Sequence, residues 1–190
     1  MNVRLTIMLI LALALVGGFV YFNQINKPSK PADERPLFYK VEMDDIAHIT
    51  IESGGNKVAF TYTADRTWVF DDAERTPVAM DRFAGTTLLL SGPRAERLVQ
   101  KQMDDPAKYG LDKPLSTIEV KLKNGRTFTL YLGNFNVDGS EQYAQLAGSP
   151  GLYLVVTSWT SVVTRFANDP PVPTPEPTFP PEETPTPAGG

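Results

Sequence analysis

Residues 116 to 132 hold two runs in which apolar and polar side chains alternate on either side of Asn124-Gly125, and this spacing leaves few folds open. A period of two belongs to strands with one buried face. Ile118, Val120 and Leu122 alternate with Glu119 and Lys121, while Phe128, Leu130 and Leu132 alternate with Thr127, Thr129 and Tyr131. A two-residue turn at Asn124 and Gly125 would pair Leu122 with Thr127 and send the two apolar sets to opposite faces. A three-residue loop, Lys123-Asn124-Gly125, with Gly125 left-handed in a bulge, pairs Val120 with Phe128 and Ile118 with Leu130. That register puts both sets on one face.

The same period recurs along the chain. "IAHITIE" and "KVAFTYT" flank Ser53, Gly54, Gly55 and Asn56, a hairpin signal, and "TWVF" follows "ADR". In "PVAMDRFAGTTLLLSG", Met80, Phe83, Thr87, Leu88 and Leu90 recur at helical spacing, with Pro77 able to start the helix and Gly92-Pro93 to stop it. "RAERLVQK" reads as a strand. After the alternating hairpin come the strands "QYAQLA" and "LYLVV", and "SWTSVVTRF" reads as a helix with Ser158 as its cap. The expected fold is α+β, a mainly antiparallel sheet with two short helices, arranged as two β-β-β-α-like halves. One N-terminal transmembrane helix precedes it.

That helix is read from "RLTIMLILALALVGGFVYFNQ", in which Leu5 to Phe22 carries no charge. As a helix it would span roughly 27 Å, near the hydrocarbon thickness of a bilayer. A core helix would show a polar stripe, which is missing. A cleaved signal peptide would need small residues after the apolar run, where "GFVYFNQ" stands instead. Tyr21 and Phe22 suit an interfacial anchor, and Ala12, Ala14, Gly17 and Gly18 permit close helix approach. Membrane lipid is therefore the expected partner of residues 5–22.

Lys27, Lys30, Arg35 and Lys40 outnumber Arg4 across the anchor, a count that would face the domain to the cytoplasm. The Pro/Thr/Glu tract "DPPVPTPEPTFPPEETPTPAGG" pulls the other way, as cell-surface stalks do, and favours an extracytoplasmic domain. The expected organisation is an anchor at 1–24, a linker at 25–37, a domain at 38–168 and a disordered tail at 169–190.

Composition removes whole classes of chemistry. With 18 Lys and Arg against 22 Asp and Glu, a formal charge of -4, the 190-residue chain has no basic excess with which to hold nucleic acid. Zero cysteine removes disulfides, thiolate nucleophiles and cysteine-ligated metals. His48 is the single histidine, beside inward-pointing Ile49 and Ile51, and reads as a surface residue. No phosphate-loop, dinucleotide or nucleophile-elbow fingerprint occurs. The pairs Asp44-Asp45, Asp71-Asp72 and Asp104-Asp105 sit at element boundaries, where carboxylates cap and solvate. "NFNVDGSEQYAQ" opens with the Asn134, Asn136, Asp138, Gly139 spacing of a calcium loop, but Gln145 stands where the bidentate Glu belongs and strands flank it. A plain hairpin loop is expected. Neither catalytic, cofactor nor metal residues are assigned.

"DDPAKYGLDKP", residues 104 to 114, is a polar interlude between apolar runs. Asp105 suits an N-cap, Pro106 the first helical position and Gly110 the left-handed C' position, so "DPAKYG" reads as one helical turn with both ends satisfied. Leu111 folds back on it and Pro114 stops it. Tyr109 is expected to bury its ring with the hydroxyl outward. The segment reads as a joint between the halves, in preference to a ligand loop.

The ordered series Trp68, Tyr109-Gly110-Leu111, Pro114, the strand pair around Asn124-Gly125 ending in Gly133, and Tyr153 in "YAQLAGSPGLYLV" resembles the DUF4340 family, a domain of unknown function. The resemblance runs over about residues 38 to 167. It implies a bacterial, membrane-anchored α+β domain found beside ABC-transporter or gliding-type membrane components, in which Trp68, Tyr109, Gly110, Leu111, Pro114, Gly125, Gly133 and Tyr153 are structural positions. The expected function is a non-enzymatic accessory module that binds protein partners in a membrane or envelope complex, on the cell membrane as a single-pass protein. The alternative is a domain that binds or hydrolyses envelope glycan with its carboxylates and the exposed aromatics Tyr39, Trp159 and Tyr153. A cleft with two carboxyls at catalytic separation would favour the latter, and a strand-edged apolar patch the former.

Overall fold

The hairpin at Asn124 takes the register that burial demands. In a computed structural model, strands β5 (Ser116–Leu122) and β6 (Thr127–Phe135) are antiparallel, with Val120 opposite Phe128 and Ile118 opposite Leu130. The Leu122 amide donates to the Arg126 carbonyl at 2.8 Å and the Gly125 amide to the Leu122 carbonyl at 2.9 Å. Gly125 has φ 85°, a conformation that a β-carbon resists. The structure describes Gly17, which is helical, and residues 35–174. The expected anchor apart from Gly17, the linker through residue 34 and the tail from residue 175 lie outside the described residues. Residues up to Glu34 and residues from Arg35 onward are separate units. Among the described residues no helix is long and apolar enough to cross a membrane.

Six further strands complete one sheet: β1 (Ile46–Ser53), β2 (Asn56–Tyr62), β3 (Trp68–Phe70), β4 (Arg97–Gln100), β7 (Glu141–Leu146) and β8 (Leu152–Val156). Their order is β3-β2-β1-β5-β6-β7-β8-β4, all pairs antiparallel. The two expected halves therefore do not stand apart. β1 pairs with β5 along its length, Ile49 opposite Val120, and β4 leaves the first half to pair with β8 at the far edge.

One face of the sheet carries the main core. Ile49, Ile51, Phe60, Ile118, Val120, Leu130, Leu132 and Val155 turn toward three short helices, α1 (Met80–Phe83), α2 (Thr86–Ser91) and α3 (Thr157–Thr164). Phe60, Phe83 and Phe166 meet at its centre, with ring centroids 4.8 to 6.2 Å apart. Each such ring contributes about 2–3 kcal/mol through burial.

Two helical expectations are corrected here. The single helix after Pro77 is broken between α1 and α2 by Gly85, whose φ of 86° resets the helical phase. Met80 and Leu88 are consequently exposed, at 50% and 61%, while Phe83, Thr86 and Leu90 face inward. Pro77 starts no helix and instead bridges Val69 beside β3. Ser158 does not cap α3, which begins at Thr157 with Val156 in the cap position and no side-chain cap bond.

Candidate functional site

The stretch from Lys101 to Leu115 connects edge strand β4 to central strand β5, and to do so it must pass over β8, β7 and β6. It crosses on the face opposite the main core. There Tyr109, Leu111 and Leu152 are buried, with Met103, Tyr131 and Tyr143 packed against them. The joint expected from sequence is thus a strap. Its helical turn, Pro106–Tyr109, has the caps its residues dictate: Asp105 accepts from the Ala107 amide at 3.0 Å, and Gly110 closes it at φ 70°. The Leu111 amide returns to the Pro106 carbonyl at 2.9 Å.

The strap lies on β6 backbone to backbone. A β-carbon built on Gly133 would collide with the Tyr109 carbonyl oxygen, and one on Gly110 would collide with the Asn134 side chain. Tyr109 packs its ring on Tyr143 at 4.9 Å. Its hydroxyl, expected outward, accepts from Gln100 Nε2 at 3.2 Å, because β4 brings Gln100 alongside.

Of the residues in the ordered series, Tyr109, Gly110, Leu111 and Gly133 therefore come together, and Pro114 ends the strap just before β5. The others do not join them. Trp68 begins β3 near the opposite edge, its ring 5.3 Å from Tyr62 and 5.4 Å from Phe83. Gly125 is at the hairpin tip. Tyr153 lies on the main-core face of β8, edge-on to Phe38 at 4.9 Å.

The aromatics read as exposed are largely inside. Tyr39 is only 8% exposed and stacks on Phe128 at 4.3 Å. Its hydroxyl is buried without a hydrogen-bond partner among the described residues, and burial pushes its ionisation well above the ordinary tyrosine range. Tyr153 and Trp159 are half-buried, and the Trp159 indole nitrogen donates to the Leu89 carbonyl at 3.3 Å. An alternation of apolar and polar residues cannot report how loops and termini cover a ring.

Carboxylates serve local backbone, as their boundary positions imply. Asp72 accepts from the Thr76 amide at 3.0 Å and Asp104 from the Asp105 amide at 2.9 Å, and these bonds hold both carboxyls below the usual range. In the loop with calcium-like spacing, Asp138 accepts from the Ser140 hydroxyl at 2.6 Å and its amide at 2.9 Å, which lowers its pKa likewise. Asn136 bonds Ser140 and Glu141. Among the described residues no cluster of three potential metal ligands occurs.

His48 is half-buried on the polar face of β1. Its Nε2 lies 3.2 Å from Asp71 Oδ2, while the Thr50 hydroxyl stands 3.5 Å from Nδ1 and the Thr61 hydroxyl 3.5 Å from the other Asp71 oxygen. This array ties the exit of β3 to β1. No local signal in the sequence pairs residues so far apart. A shallow polar hollow of about 530 Å³ at one end of β1, β2 and β5 is lined by Asp44, Tyr62, Thr63, Arg66 and Lys123, with the Lys123 ammonium 5.3 Å from the centre of the Tyr62 ring.

The remaining distinctive surface is an edge. β4 ends the sheet, and among the described residues no strand lies on its outer side. Arg97, Leu98 and Val99 are exposed, the two apolar ones at 39% and 36%. Val99 stands at a register shift between Leu98 and Gln100 and has no partner residue in β8. Just before β4, the Leu37–Arg94 bridge and a 2.8 Å bond from the Ala95 amide to the Pro36 carbonyl pair this stretch with the entering chain. That pairing is not continued along Arg97–Gln100 by any described residue.

No curated protein and no solved structure matches the chain. One family model does, over residues 68–168, more than half of the chain, beginning at Trp68 and leaving β1 and β2 outside the match. With Tyr109-Gly110-Leu111 laid on Gly133 inside that span, the chain belongs to DUF4340, a domain of unknown function.

Proposed function

We propose that this chain is a non-enzymatic interaction module of a larger membrane or envelope complex, anchored in lipid through residues 5–22 with its domain on the extracytoplasmic side. Edge strand β4 is its docking surface for protein. The observation that carries this reading is the pairing of an open strand edge with exposed apolar side chains, Leu98 and Val99. An extended partner segment can add to such an edge by main-chain hydrogen bonds, with side-chain pockets giving selectivity. Exposed edges of this kind are otherwise a hazard that proteins blunt with charge or proline. The transport-associated setting implied by the family resemblance would supply such partners.

The test is affinity purification of the full chain after gentle detergent extraction, side by side with Val99→Pro and Val99→Lys. Val99 has no partner in β8, so both variants leave the β4–β8 ladder in place. The native chain should recover stoichiometric protein partners and both variants should lose them at an unchanged melting temperature. Recovery of a lone monomer whose hydrolytic activity disappears on substituting one carboxylate would overturn the proposal in favour of a glycan-acting domain.

A further inference from the structure

Two hairpins close by the same three-residue loop, and both loops stand at the end of the sheet where β1 begins. In the β5–β6 loop the Leu122 amide donates to the Arg126 carbonyl at 2.8 Å and the Gly125 amide to the Leu122 carbonyl at 2.9 Å. In the β2–β3 loop the Thr63 amide donates to the Thr67 carbonyl at 2.9 Å and the Arg66 amide to the Thr63 carbonyl at 3.1 Å. The last loop position is left-handed in both, at φ 85° in Gly125 and φ 60° in Arg66. Glycine takes that backbone freely, and arginine takes it only under strain. The loop itself gives no reason for an arginine at position 66, so the strain points to a use for the side chain.

Between the loops is the polar hollow of about 530 Å³, to which one loop brings Arg66 and the other Lys123. Ala47 and Ala64 also line it, and side chains of that size leave the space unfilled. The Lys123 ammonium stands 5.3 Å from the centre of the Tyr62 ring, which in turn packs 5.3 Å from the Trp68 ring. Among the described residues neither Arg66 nor Lys123 forms an ion pair, whereas Lys57, Arg82 and Arg97 each have a carboxylate. Asp44 is the one carboxylate among the lining residues. The hollow therefore concentrates positive charge on a chain whose formal charge is -4.

We propose that this hollow binds a phosphate ester, with the phosphate between Arg66 and Lys123 and Asp44 accepting a hydroxyl from the alcohol part. A phosphate spreads its oxygens tetrahedrally, so it can take the guanidinium fork on one side and an ammonium on another, while a carboxylate spends both oxygens on the fork. The volume suits a small molecule. Strands β6, β7 and β8 lie between this site and β4, so it stands apart from the protein-docking edge. Soluble phosphate esters and anionic lipid headgroups share the chemistry, and the test separates them.

Full-length protein is placed in nanodiscs of phosphatidylcholine, whose headgroup carries no net charge, and acylation of Lys123 by acetic anhydride is followed by mass spectrometry at constant ionic strength. Saturating glycerol 3-phosphate should slow Lys123 about tenfold, since the ammonium must leave a charge-assisted bond to react, and should leave exposed Lys57 unaffected. If the ester is a lipid's, nanodiscs containing phosphatidylglycerol give the same protection with nothing added. Either result supports the site and names its source. Equal Lys123 rates in all three conditions overturn the proposal. Arg66→Gly and Arg66→Asn supply residues that the loop backbone favours, so the unfolding midpoint should hold or rise while protection at Lys123 is lost. Protection retained in both variants, or a lower midpoint in both, would show that Arg66 does not serve a ligand and would also overturn the proposal.

Discussion

Gly133 on β6 faces the carbonyl oxygen of Tyr109 with no room for a side chain between them. The main chain of the strap and the main chain of the sheet are in direct contact at that point, so the methyl of a Gly133→Ala variant has to push the strap away. Such overpacking costs about 1–3 kcal/mol, and loss of the Tyr109 ring from its place on Tyr143 adds to it. Urea unfolding should show a drop of that size. Gly92→Ala, whose added carbon meets only ordinary contacts at 3.8 and 3.9 Å, should change stability by less than about 0.5 kcal/mol. Equal effects from the two would show that the close approach carries no weight.

Gly125 makes a narrower demand. Its φ of 85° lets Leu122 and Arg126 close the loop and fixes Val120 opposite Phe128. Gly125→Val should cost about 1 kcal/mol or more, because a β-branched residue resists left-handed backbone. Gly125→Asn should recover most of that cost, since Asn tolerates the same region. Comparable melting temperatures for the Val and Asn variants would contradict the conformational explanation.

Tyr39 carries a hydroxyl that is buried and has no partner among the described residues. Tyr39→Phe keeps the stacked ring on Phe128 and removes that orphan group, so stability at neutral pH should stay level or rise by up to about 1 kcal/mol. The pH dependence has a defined sign. Burial raises the folded-state pKa above the unfolded value, so the folded state holds its proton more tightly. The stability this provides is present below about pH 10 and is lost as pH rises beyond it, at a limiting slope of about 1.4 kcal/mol per pH unit. Denaturation of the two proteins on either side of pH 10 should show the steeper alkaline loss only with tyrosine. Parallel curves would mean that the hydroxyl finds a partner in solution.

At the core, Phe83 touches Phe60, Trp68 and Phe166 from α1. Phe83→Ala should therefore cost about 3–5 kcal/mol. Met80→Ala, three residues away on the same short helix but half exposed, should cost under about 1 kcal/mol. Thermal unfolding of the pair checks which face of α1 is inside.

How much of this was legible in sequence depends on the range of the signal. The loop at Gly125 and the caps around Asp105 and Gly110 were, because alternation and capping chemistry act over a few residues. The single helix read from the spacing of Met80, Phe83, Thr87, Leu88 and Leu90 is two, because Gly85, with its left-handed backbone, restarts the helical count between them. The strap was seen as a joint but its path was not, since nothing local says that β4 pairs with β8. The contact of His48 with Asp71 and the return of Pro171 to Ala79 were hidden for the same reason. Tyr39 was misjudged because cover from Phe128 belongs to tertiary packing.

The seam between β1 and β5, where Ile49 meets Val120 and Ile51 meets Ile118, has a kinetic consequence. Its partners are separated by the whole of β2 through β4, and β4 must in turn wait for β8, nearly the last element made. Loop closure over such distances is paid before the contacts reward it, so a sheet of this topology folds more slowly than one built from neighbouring hairpins alone. During synthesis the first hairpin is left with the β1 side unpaired until Leu122 has emerged, and β4 stays unpaired until residues beyond Val156 have done so. That interval, set by chain connectivity and not by stability, is when the domain is most open to mispairing with another copy.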